Sequence, residues 1–403
     1  MYEPLVKSFS VFNAWGDKRL SELNFRKNVT FITGFNGTGK TTLLELLNFS
    51  LSEPMSIAPS YRNWCTKVLL KQKIALFSFD LRDDDERKRN KINSGLRKLQ
   101  DRPQLENLKL IEFYNFVLKG LPNFKKNRNY MTAVISNNSS SESESTAAAR
   151  VIFARSDNPE GKKDLEDLVS PVYYREEVFI DSERPYRNSA ENKKTNIYDK
   201  SIILDFTLRE LLVDFLSKEK ELATSTLSTK KNDIKLYNEI NSLLSGDGID
   251  KEIAFKLKET FSVLVQKEPD YEFEFKEDKV KVFEDIVDDF FECTGKKVCR
   301  DSRGLLALKD NKNNVIESSE LSRGEKNILI LLVLAFLSHD ERKVFILDEP
   351  DLTLHIEWQK KIIFKLQELA PKSQFIIATH SPALFMNNVD FDVINMMDVT
   401  NYE

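Results

Sequence analysis

The sequence predicts an α/β fold, and three stretches of the chain carry this prediction. The apolar stretch Val29–Thr33 precedes a glycine-rich loop and a leucine-rich stretch, Thr42–Asn48, that is typical of a helix. Two later apolar stretches, Lys343–Glu349 and Gln374–Pro382, each end in charged or polar residues. Strands of a parallel sheet are apolar throughout because both of their faces are covered. We therefore expect a parallel core sheet with polar loops at the ends of its strands.

The composition narrows the class of protein. Of the 403 residues, 41% are hydrophobic, so the chain is long enough for two or three lobes with their own cores. A net charge of -4 gives no overall signal for nucleic acid, although a local basic patch is compatible with it. Three cysteines without a CxxC pair argue against a disulfide framework and against zinc. A reducing, cytoplasmic setting is therefore expected.

The sequence shows neither a secretion signal nor a membrane span. The first residues, Met1–Pro4, are not a basic segment followed by an apolar one. The longest apolar run, Ile328–Leu337, is too short to cross a bilayer and predicts a buried helix. We therefore expect no membrane partner.

The remaining elements predict a core that is split in the sequence. Four strands are expected in the first half of the chain, at Val6–Phe12, Leu23–Arg26, Ile74–Asp80 and Val172–Ile180. The first two flank a turn at Gly16-Asp17. They give the fold an antiparallel N-terminal region. We expect residues 1–80 and 300–403 to form the core. Residues 81–299 are expected to be an insertion, of which part completes the core sheet.

The expected insertion is helical in part. From residue 201 to 266 the pattern is helical, with one apolar side formed by Ile202, Leu208, Leu212 and Phe215. Alternating apolar residues then predict strands at Tyr271–Phe275 and Val280–Phe283. In the part of the core that follows, a hairpin is expected to join Leu305–Leu308 to Val315–Ile316.

The loop Gly34–Thr42 has the pattern G-x-x-x-x-G-K-[ST] of a phosphate-binding loop, between a strand and a helix as that motif requires. Its glycines let successive N–H groups point at a polyphosphate, next to the positive end of a helix. Lys40 can reach the β- and γ-phosphates, and the Thr41 hydroxyl can bind Mg²⁺. The predicted nucleotide-binding residues of this loop are Gly34, Asn36, Gly37, Thr38, Gly39, Lys40, Thr41 and Thr42.

Two further segments supply candidate chemistry. Asp348 and Glu349 end an apolar strand, where Asp348 can hold Mg²⁺ and Glu349 can polarise an attacking water. His380 ends another apolar strand and, when neutral, can hydrogen-bond a γ-phosphate. For His355, a structural role is an equally good interpretation.

The segment Leu321–Lys326 begins the apolar helix. Ser322 is a candidate N-cap with Glu325 three residues on, which is the capping-box pattern. A capped helix start is an anion site, but the pattern alone is equally consistent with a buried helix that is merely well capped.

Together these segments resemble an ABC-type ATPase of the SMC/RecF/OLD-like group. The phosphate loop, Leu321–Glu325, Phe345–Pro350, Asp351–His355 and Ala378–Pro382 match its phosphate loop, signature motif, Walker B motif, D-loop and H-loop, in that order. In organisation the chain resembles the stand-alone ATPase subunits of bacterial anti-phage systems, PARIS AriA and Septu PtuA. The resemblance covers roughly the first 50 and last 90 residues, with no specific motif in the middle.

The resemblance implies a head-to-tail homodimer, or a higher even-numbered oligomer, that binds ATP and Mg²⁺ between protomers. The phosphate loop of one protomer would face Ser322, Gly324 and Glu325 of the other, and Asp351 would also line the site. Hydrolysis would then open and close the dimer. In a defence complex, a separately encoded effector, expected to be a nuclease, would act with it.

Other functions agree with the same motifs. One alternative is a RecF-like DNA repair ATPase that binds duplex DNA, and another is a nucleotide switch with negligible hydrolysis. A transporter subunit fits least well. Two family positions have no clear match. The Q-loop glutamine is absent from Phe179–Arg184, with Gln72 as an alternative, and either Trp15 or Phe12 could contact adenine.

Overall fold

The structure is a computed structural model that describes residues 3–15, 20–52, 64–71, 75–80, 130–136, 148–155, 171–175, 178–181, 204–222, 279–386 and 391–401. The chain forms two compact units. The first unit contains residues 1–200 and 338–403, and the second contains residues 201–337.

The first unit contains a seven-stranded antiparallel sheet. Its strands, in chain order, are β1 (Val6–Phe12), β2 (Leu20–Asn24), β4 (Trp64–Leu70), β5 (Ala75–Asp80), β6 (Tyr130–Ser136), β7 (Ala148–Arg155) and β16 (Thr400–Asn401). Their order across the sheet is β16-β2-β1-β4-β5-β7-β6. The predicted antiparallel N-terminal region is therefore confirmed.

The second sheet of this unit has six strands and is parallel except at one edge. Its strands are β3 (Val29–Thr33), β8 (Val172–Arg175), β9 (Val178–Asp181), β13 (Val344–Asp348), β14 (Gln374–Ala378) and β15 (Asp392–Asn395). Their order is β15-β3-β14-β13-β8-β9, and only β9 runs antiparallel to its neighbour. Because β3, β14 and β13 are adjacent and parallel, their carboxyl ends lie at one edge of the sheet.

Helix α1 (Lys40–Leu51) joins the two sheets through one core. It contacts β4 and β5 of the antiparallel sheet and β13 and β14 of the parallel sheet. Ten of its twelve residues are buried, which is expected of a helix that is covered on opposite sides. Helix α5 (Ile356–Leu369) is amphipathic, and only one side of it is buried.

A glutamine side chain also connects the two sheets. The amide of Gln374, the first residue of β14, accepts a hydrogen bond from the backbone N–H of Val6 at 2.8 Å and donates one to its carbonyl at 3.0 Å. The side chain therefore pairs with β1 as the backbone of another strand would.

The second unit is mainly helical. It contains helix α2 over residues 204–222, α3 (Lys279–Phe291) and α4 (Arg323–Leu337). A small antiparallel sheet is formed by β10 (Lys297–Arg300), β11 (Leu306–Lys309) and β12 (Val315–Ile316). The rings of Phe215, Phe283 and Phe336 lie 4.7 to 5.1 Å apart and pack the three helices together. No helix in the described part of the chain is both long and apolar enough to cross a membrane.

Most predicted elements are confirmed within a few residues, and two are corrected. Val280–Phe283 was predicted to be a strand but lies in α3, whose buried residues Phe283, Ile286, Val287, Phe290 and Phe291 have helical spacing. The predicted strand Val172–Ile180 is a hairpin of two strands, β8 and β9. The Gly16-Asp17 turn, Tyr271–Phe275, Ile202, Gln72 and residues 223–266 lie outside the described residues.

The two compact units do not follow the expected domain boundaries. Strands β6 to β9 lie within residues 81–299 but belong to the sheets of the first unit. This is consistent with the expectation that part of residues 81–299 completes the core sheet. Residues 300–337 belong instead to the second unit. The assignment of 81–299 as an insertion stays a prediction.

Candidate nucleotide-binding site

The candidate site lies at the carboxyl edge of the parallel sheet in the first unit. The phosphate loop follows β3, His380 follows β14 after one intervening residue, and Asp348 ends β13. Ligands of open α/β sheets bind at this edge. The fold thus brings together residues that are more than 300 positions apart in the sequence.

The phosphate loop has a backbone that requires glycine at its tightest points. Gly39 has φ of 92° and immediately precedes α1, so it lies in the left-handed region. A Cβ at residue 39 would also overlap the indole of Trp15, which covers the loop from one side. Within the loop, the Thr38 hydroxyl donates to the carbonyl of Phe35 at 2.9 Å.

Lys40 lies inside the loop with only 5% of its surface exposed. Its ammonium donates to the carbonyls of Gly34 at 3.1 Å and Phe35 at 3.3 Å, and it lies 2.8 Å from Nε2 of His380. Because an ammonium can only donate, Nε2 accepts this bond and the proton of a neutral His380 is on Nδ1. Burial lowers the pKa of Lys40, while the charges of Glu349 and Asp348 act in the opposite direction.

Asp348 has the environment of a metal ligand that lacks one partner. The residue is 3% exposed, and its Oδ1 has no hydrogen-bond partner among the described residues. Burial raises the pKa of Asp348, and hydrogen bonding from the nearby Thr41 side chain and the charge of Arg175 oppose this shift.

These two side chains fit Mg²⁺. This ion is bound through one or two carboxylates together with phosphate oxygens and water, rather than by a cage of protein ligands. The described residues contain no group of three or more histidine, cysteine, aspartate or glutamate side chains that could hold a metal. An orphaned buried carboxylate oxygen beside a threonine hydroxyl is the arrangement that such an ion completes.

Glu349 has an unusual backbone. Its φ is 51°, in the left-handed region that non-glycine residues seldom adopt, and its N–H donates to the carbonyl of Ala378 at 2.9 Å. Its carboxylate Oε1 lies 3.4 Å from Nε2 of His380. Strain of this kind is concentrated at functional sites, and here it holds the Glu349 side chain beside His380.

Arg175, which ends β8 beside Asp348, was not among the predicted site residues. Its guanidinium Nη1 bonds Oε1 of Glu45 at 2.9 Å, and its Nε lies 3.7 Å from Oδ2 of Asp348. The prediction of one continuous strand through Ile180 placed Arg175 in the middle of that strand. A break after the apolar run Val172–Tyr174 would have marked it as a strand end.

Asp351 is buried in a hydrogen-bond network between two loops. Its Oδ1 accepts from the Thr379 hydroxyl at 2.6 Å, and Thr379 accepts from the N–H of Ser381 at 2.8 Å. The Ser381 hydroxyl donates to Oε1 of Gln359 at 2.6 Å. Within the protomer Asp351 holds the loop after β13 to the loop after β14. Its predicted place in the nucleotide site stays a prediction. His355 caps α5, where its Nδ1 accepts from the N–H of Glu357.

The capping box at the start of α4 is confirmed in the second unit. The N–H of Glu325 donates to Ser322 Oγ at 3.4 Å, and the N–H of Ser322 donates to Glu325 Oε2 at 2.9 Å. Lys296 bonds the other carboxylate oxygen of Glu325 at 2.5 Å. Ser322 is exposed, whereas Gly324 and Glu325 are buried. Glu325 is thus fully engaged within its own chain, and Ser322 is accessible.

Two aromatic residues were candidates for an adenine contact. Phe12 is buried in the core, whereas Trp15 is partly exposed and packs against Gly39. A cavity of about 650 Å³ also opens at the loop, lined by Thr33, Gly34, Phe35, Asn36, His380 and Asn395. Asn395, at the end of β15, was not predicted to be near the site.

Trp15 provides a direct test of where the base binds. The other two tryptophans, Trp64 and Trp358, are buried, so Trp15 should report nucleotide binding by a change in fluorescence. Trp15→Ala should lower ATP affinity roughly 5- to 150-fold, since stacking on a base contributes about 1–3 kcal/mol. Titration of Trp15→Phe with ATP should show no change in tryptophan fluorescence. The Trp358→Phe control should still show the change seen with the parent. A signal that persists in Trp15→Phe would exclude Trp15 as the contact.

Comparison with known proteins assigns the class. A family model described as "AAA domain, putative AbiEii toxin, Type IV TA system" matches residues 29–387. The chain therefore belongs to this family of ATPase domains, and the predicted ATPase class is confirmed.

Individual relatives make the assignment more specific. The chain is 28% identical over 416 aligned residues to the Retron Vc95 probable ATPase of Vibrio cholerae serotype O1 biovar El Tor, covering 96% of this chain and 72% of that protein. It is 39% identical over 92 residues to the Retron Ec83 probable ATPase of Escherichia coli, covering 20% and 17%. With the Septu protein PtuA of Bacillus thuringiensis it shares 44% identity over 43 residues, 11% of each chain. The predicted resemblance to anti-phage ATPases is thus confirmed.

Solved structures of SMC heads are also similar. One is the Smc head domain from Pyrococcus furiosus with an extended coiled coil, bound to the C-terminal domain of ScpA. It is 14% identical with a TM-score of 0.37, covering 97% of this chain and 93% of that one. The SmcHead bound to the C-winged helix domain of ScpA is 13% identical with a TM-score of 0.40, covering 97% and 94%.

Proposed function

We propose that this protein is a Mg²⁺-dependent ATP hydrolase that closes as a head-to-tail dimer on ATP and serves as sensor or scaffold in an anti-phage complex. The observation that carries the proposal is the convergence of Lys40, Asp348, Glu349 and His380 at one edge of the parallel sheet. These are the groups that phosphoryl transfer to water requires.

Each residue has a role that its environment supports. Loop N–H groups and the Lys40 ammonium hold the phosphates, and Lys40 exchanges its present bonds to loop carbonyls for phosphate oxygens. Asp348 and Thr41 hold Mg²⁺, which when bound neutralises charge that develops on the phosphates. Glu349 accepts a hydrogen bond from the attacking water and orients it. His380, whose Nε2 lies beside both Lys40 and Glu349, contacts the γ-phosphate once Lys40 has moved to the phosphates and Nε2 carries the imidazole proton, and it responds to the loss of that phosphate.

The start of α4 supports the dimer. Ser322 and Arg323 are exposed at the start of α4, a long buried helix whose N-terminal dipole favours an anion. The capping box keeps this helix start ordered, and Ser322 stays exposed although its Oγ accepts from the N–H of Glu325. Binding of the γ-phosphate of a partner protomer there would complete the site from both sides.

The relatives support a role in defence. Retron ATPases and Septu PtuA belong to anti-phage systems, and the Vibrio cholerae retron protein aligns with nearly the whole of this chain. We therefore propose that a separately encoded effector, a nuclease by analogy with the OLD-like group, is held or released according to the nucleotide state of the dimer.

The trans arrangement predicts that Ser322→Arg blocks closure but not binding. The long charged side chain would fill the space in front of the helix start, so ATP should bind monomers with near-parental affinity and fail to dimerise them. Calorimetry measures the first property, and light scattering in a Glu349→Gln background measures the second. Loss of the cap costs about 1 kcal/mol, so thermal unfolding should show a folded protein.

Ser302→Arg is the matched control, since Ser302 is an exposed serine of the same unit. It should dimerise like the parent. Normal dimerisation and hydrolysis by Ser322→Arg would refute the trans arrangement.

A further inference from the structure

We propose that Arg175 is a positioning residue whose positive charge lies beside the metal site in the nucleotide-free protein. This charge disfavours a free divalent cation there, so that the cation enters only together with ATP. The inference rests on the proposed function, because it takes Asp348 as a metal ligand. It assigns a task to a residue that was not among the predicted site residues.

The geometry shows that Arg175 is held beside Asp348 rather than bound to it fully. Its strong bond is to Glu45 of α1 at 2.9 Å, whereas its approach to Oδ2 of Asp348 is 3.7 Å, longer than a hydrogen bond. The strand register explains this placement, because Arg175 ends β8 directly opposite Asp348 at the end of β13. Glu45 thus fixes the guanidinium at a set distance from the buried carboxylate.

The two oxygens of Asp348 have different surroundings. Oδ2 faces Arg175, and Oδ1 has no hydrogen-bond partner among the described residues. An ion pair that served stability alone would be expected to satisfy both oxygens, since an unsatisfied buried oxygen is costly. One oxygen is therefore left for the metal while the charge of the carboxylate is already balanced.

The balance of charge explains why metal binding would depend on ATP. Around the site lie the carboxylates of Glu45, Asp348 and Glu349 and the cations of Lys40 and Arg175. With Lys40 and Arg175 both in place, a divalent metal ion would gain little free energy by binding here without nucleotide. ATP brings several negative charges, which offset Lys40 and Arg175 and make the site favourable for the metal. Loss of the Arg175 charge should let the metal bind without nucleotide.

The test uses Mn²⁺ as a probe and measures its binding to nucleotide-free protein by electron paramagnetic resonance. Arg175→Met should bind one Mn²⁺ at least about tenfold more tightly than the parent, as expected for removing a charge this close. Arg175→Lys keeps the charge and should behave like the parent. Arg175→Gln keeps a hydrogen-bond donor for Glu45 but loses the charge. It should therefore show the same gain in Mn²⁺ affinity, and it serves as the test if Arg175→Met folds poorly.

The controls separate the inference from the function on which it rests. Adding Asp348→Asn to Arg175→Met should abolish the gained Mn²⁺ site, and thermal unfolding in EDTA should verify folding. No gain in either uncharged variant, a gain in Arg175→Lys, or a gain that survives Asp348→Asn would overturn the inference. Unchanged Mg·ATP affinity of the single variant Asp348→Asn, measured by calorimetry, would instead overturn the proposed metal site.

Discussion

Replacing Glu349 by glutamine is expected to lower ATP hydrolysis about 10²–10⁴-fold while ATP remains bound. The amide keeps the size and reach of the side chain but is a poor base, whereas Asp348 and Thr41 still hold the metal. Glutamine is as compatible as glutamate with the φ of 51° at this position, so the backbone should not change. Phosphate release measures the rate, and light scattering should show a long-lived ATP-bound dimer in the same preparation.

Glu357→Gln makes the same chemical change at an exposed position in the first turn of α5 and should leave hydrolysis unaltered. If the Glu349→Gln protein hydrolysed ATP at the parental rate, Glu349 would have no part in the reaction and a nucleotide switch would be the better description. The locked dimer also offers a way to capture the proposed effector, which should remain bound to it.

Lys40→Ala is expected to lower ATP affinity at least about thirtyfold, since truncating one partner of a buried charge pair costs about 2–5 kcal/mol. The fold should survive, because in the free protein Lys40 only donates to two loop carbonyls and to His380. Calorimetric titration with Mg·ATP measures the loss. In the native host, the variant should also lose protection against phage.

Lys360→Ala is a suitable control for this change, because Lys360 is an exposed lysine whose ion pair within the described part of the chain is with Glu357. It should bind ATP like the parent. Equal ATP binding by Lys40→Ala and the parent would remove the phosphate-loop assignment.

The local pattern of apolar residues predicted the strands of the parallel sheet well. Val29–Thr33 is a strand with the predicted bounds; the strand before His380 lies beside it, and the strand before Glu349 lies next in the same sheet. These stretches are buried on both faces, so their composition alone marks them. The prediction failed at Val280–Phe283, where four residues alternate in a way that also fits one turn of an amphipathic helix. Only the later residues Ile286 and Phe290 distinguish the two periods.

Features that depend on distant pairing could not be predicted. The order of the seven antiparallel strands brings β16 beside β2, and nothing in either segment encodes that neighbour. The same holds for Arg175, whose importance comes from the strand next to it. Asp351 was assigned to the site by its motif, yet its hydrogen bond to Thr379 is visible only once both loops are in place.

The backbone at Glu349 has a consequence for how this position can evolve. A left-handed conformation costs a residue with a side chain roughly 1 kcal/mol or more, and glycine would carry no such cost. If Glu349 activates water as proposed, the substitution that most stabilises the loop is also one that removes activity. Selection for a robust fold and selection for turnover therefore act in opposite directions at this residue, and screens for thermostable variants should be expected to yield inactive protein here.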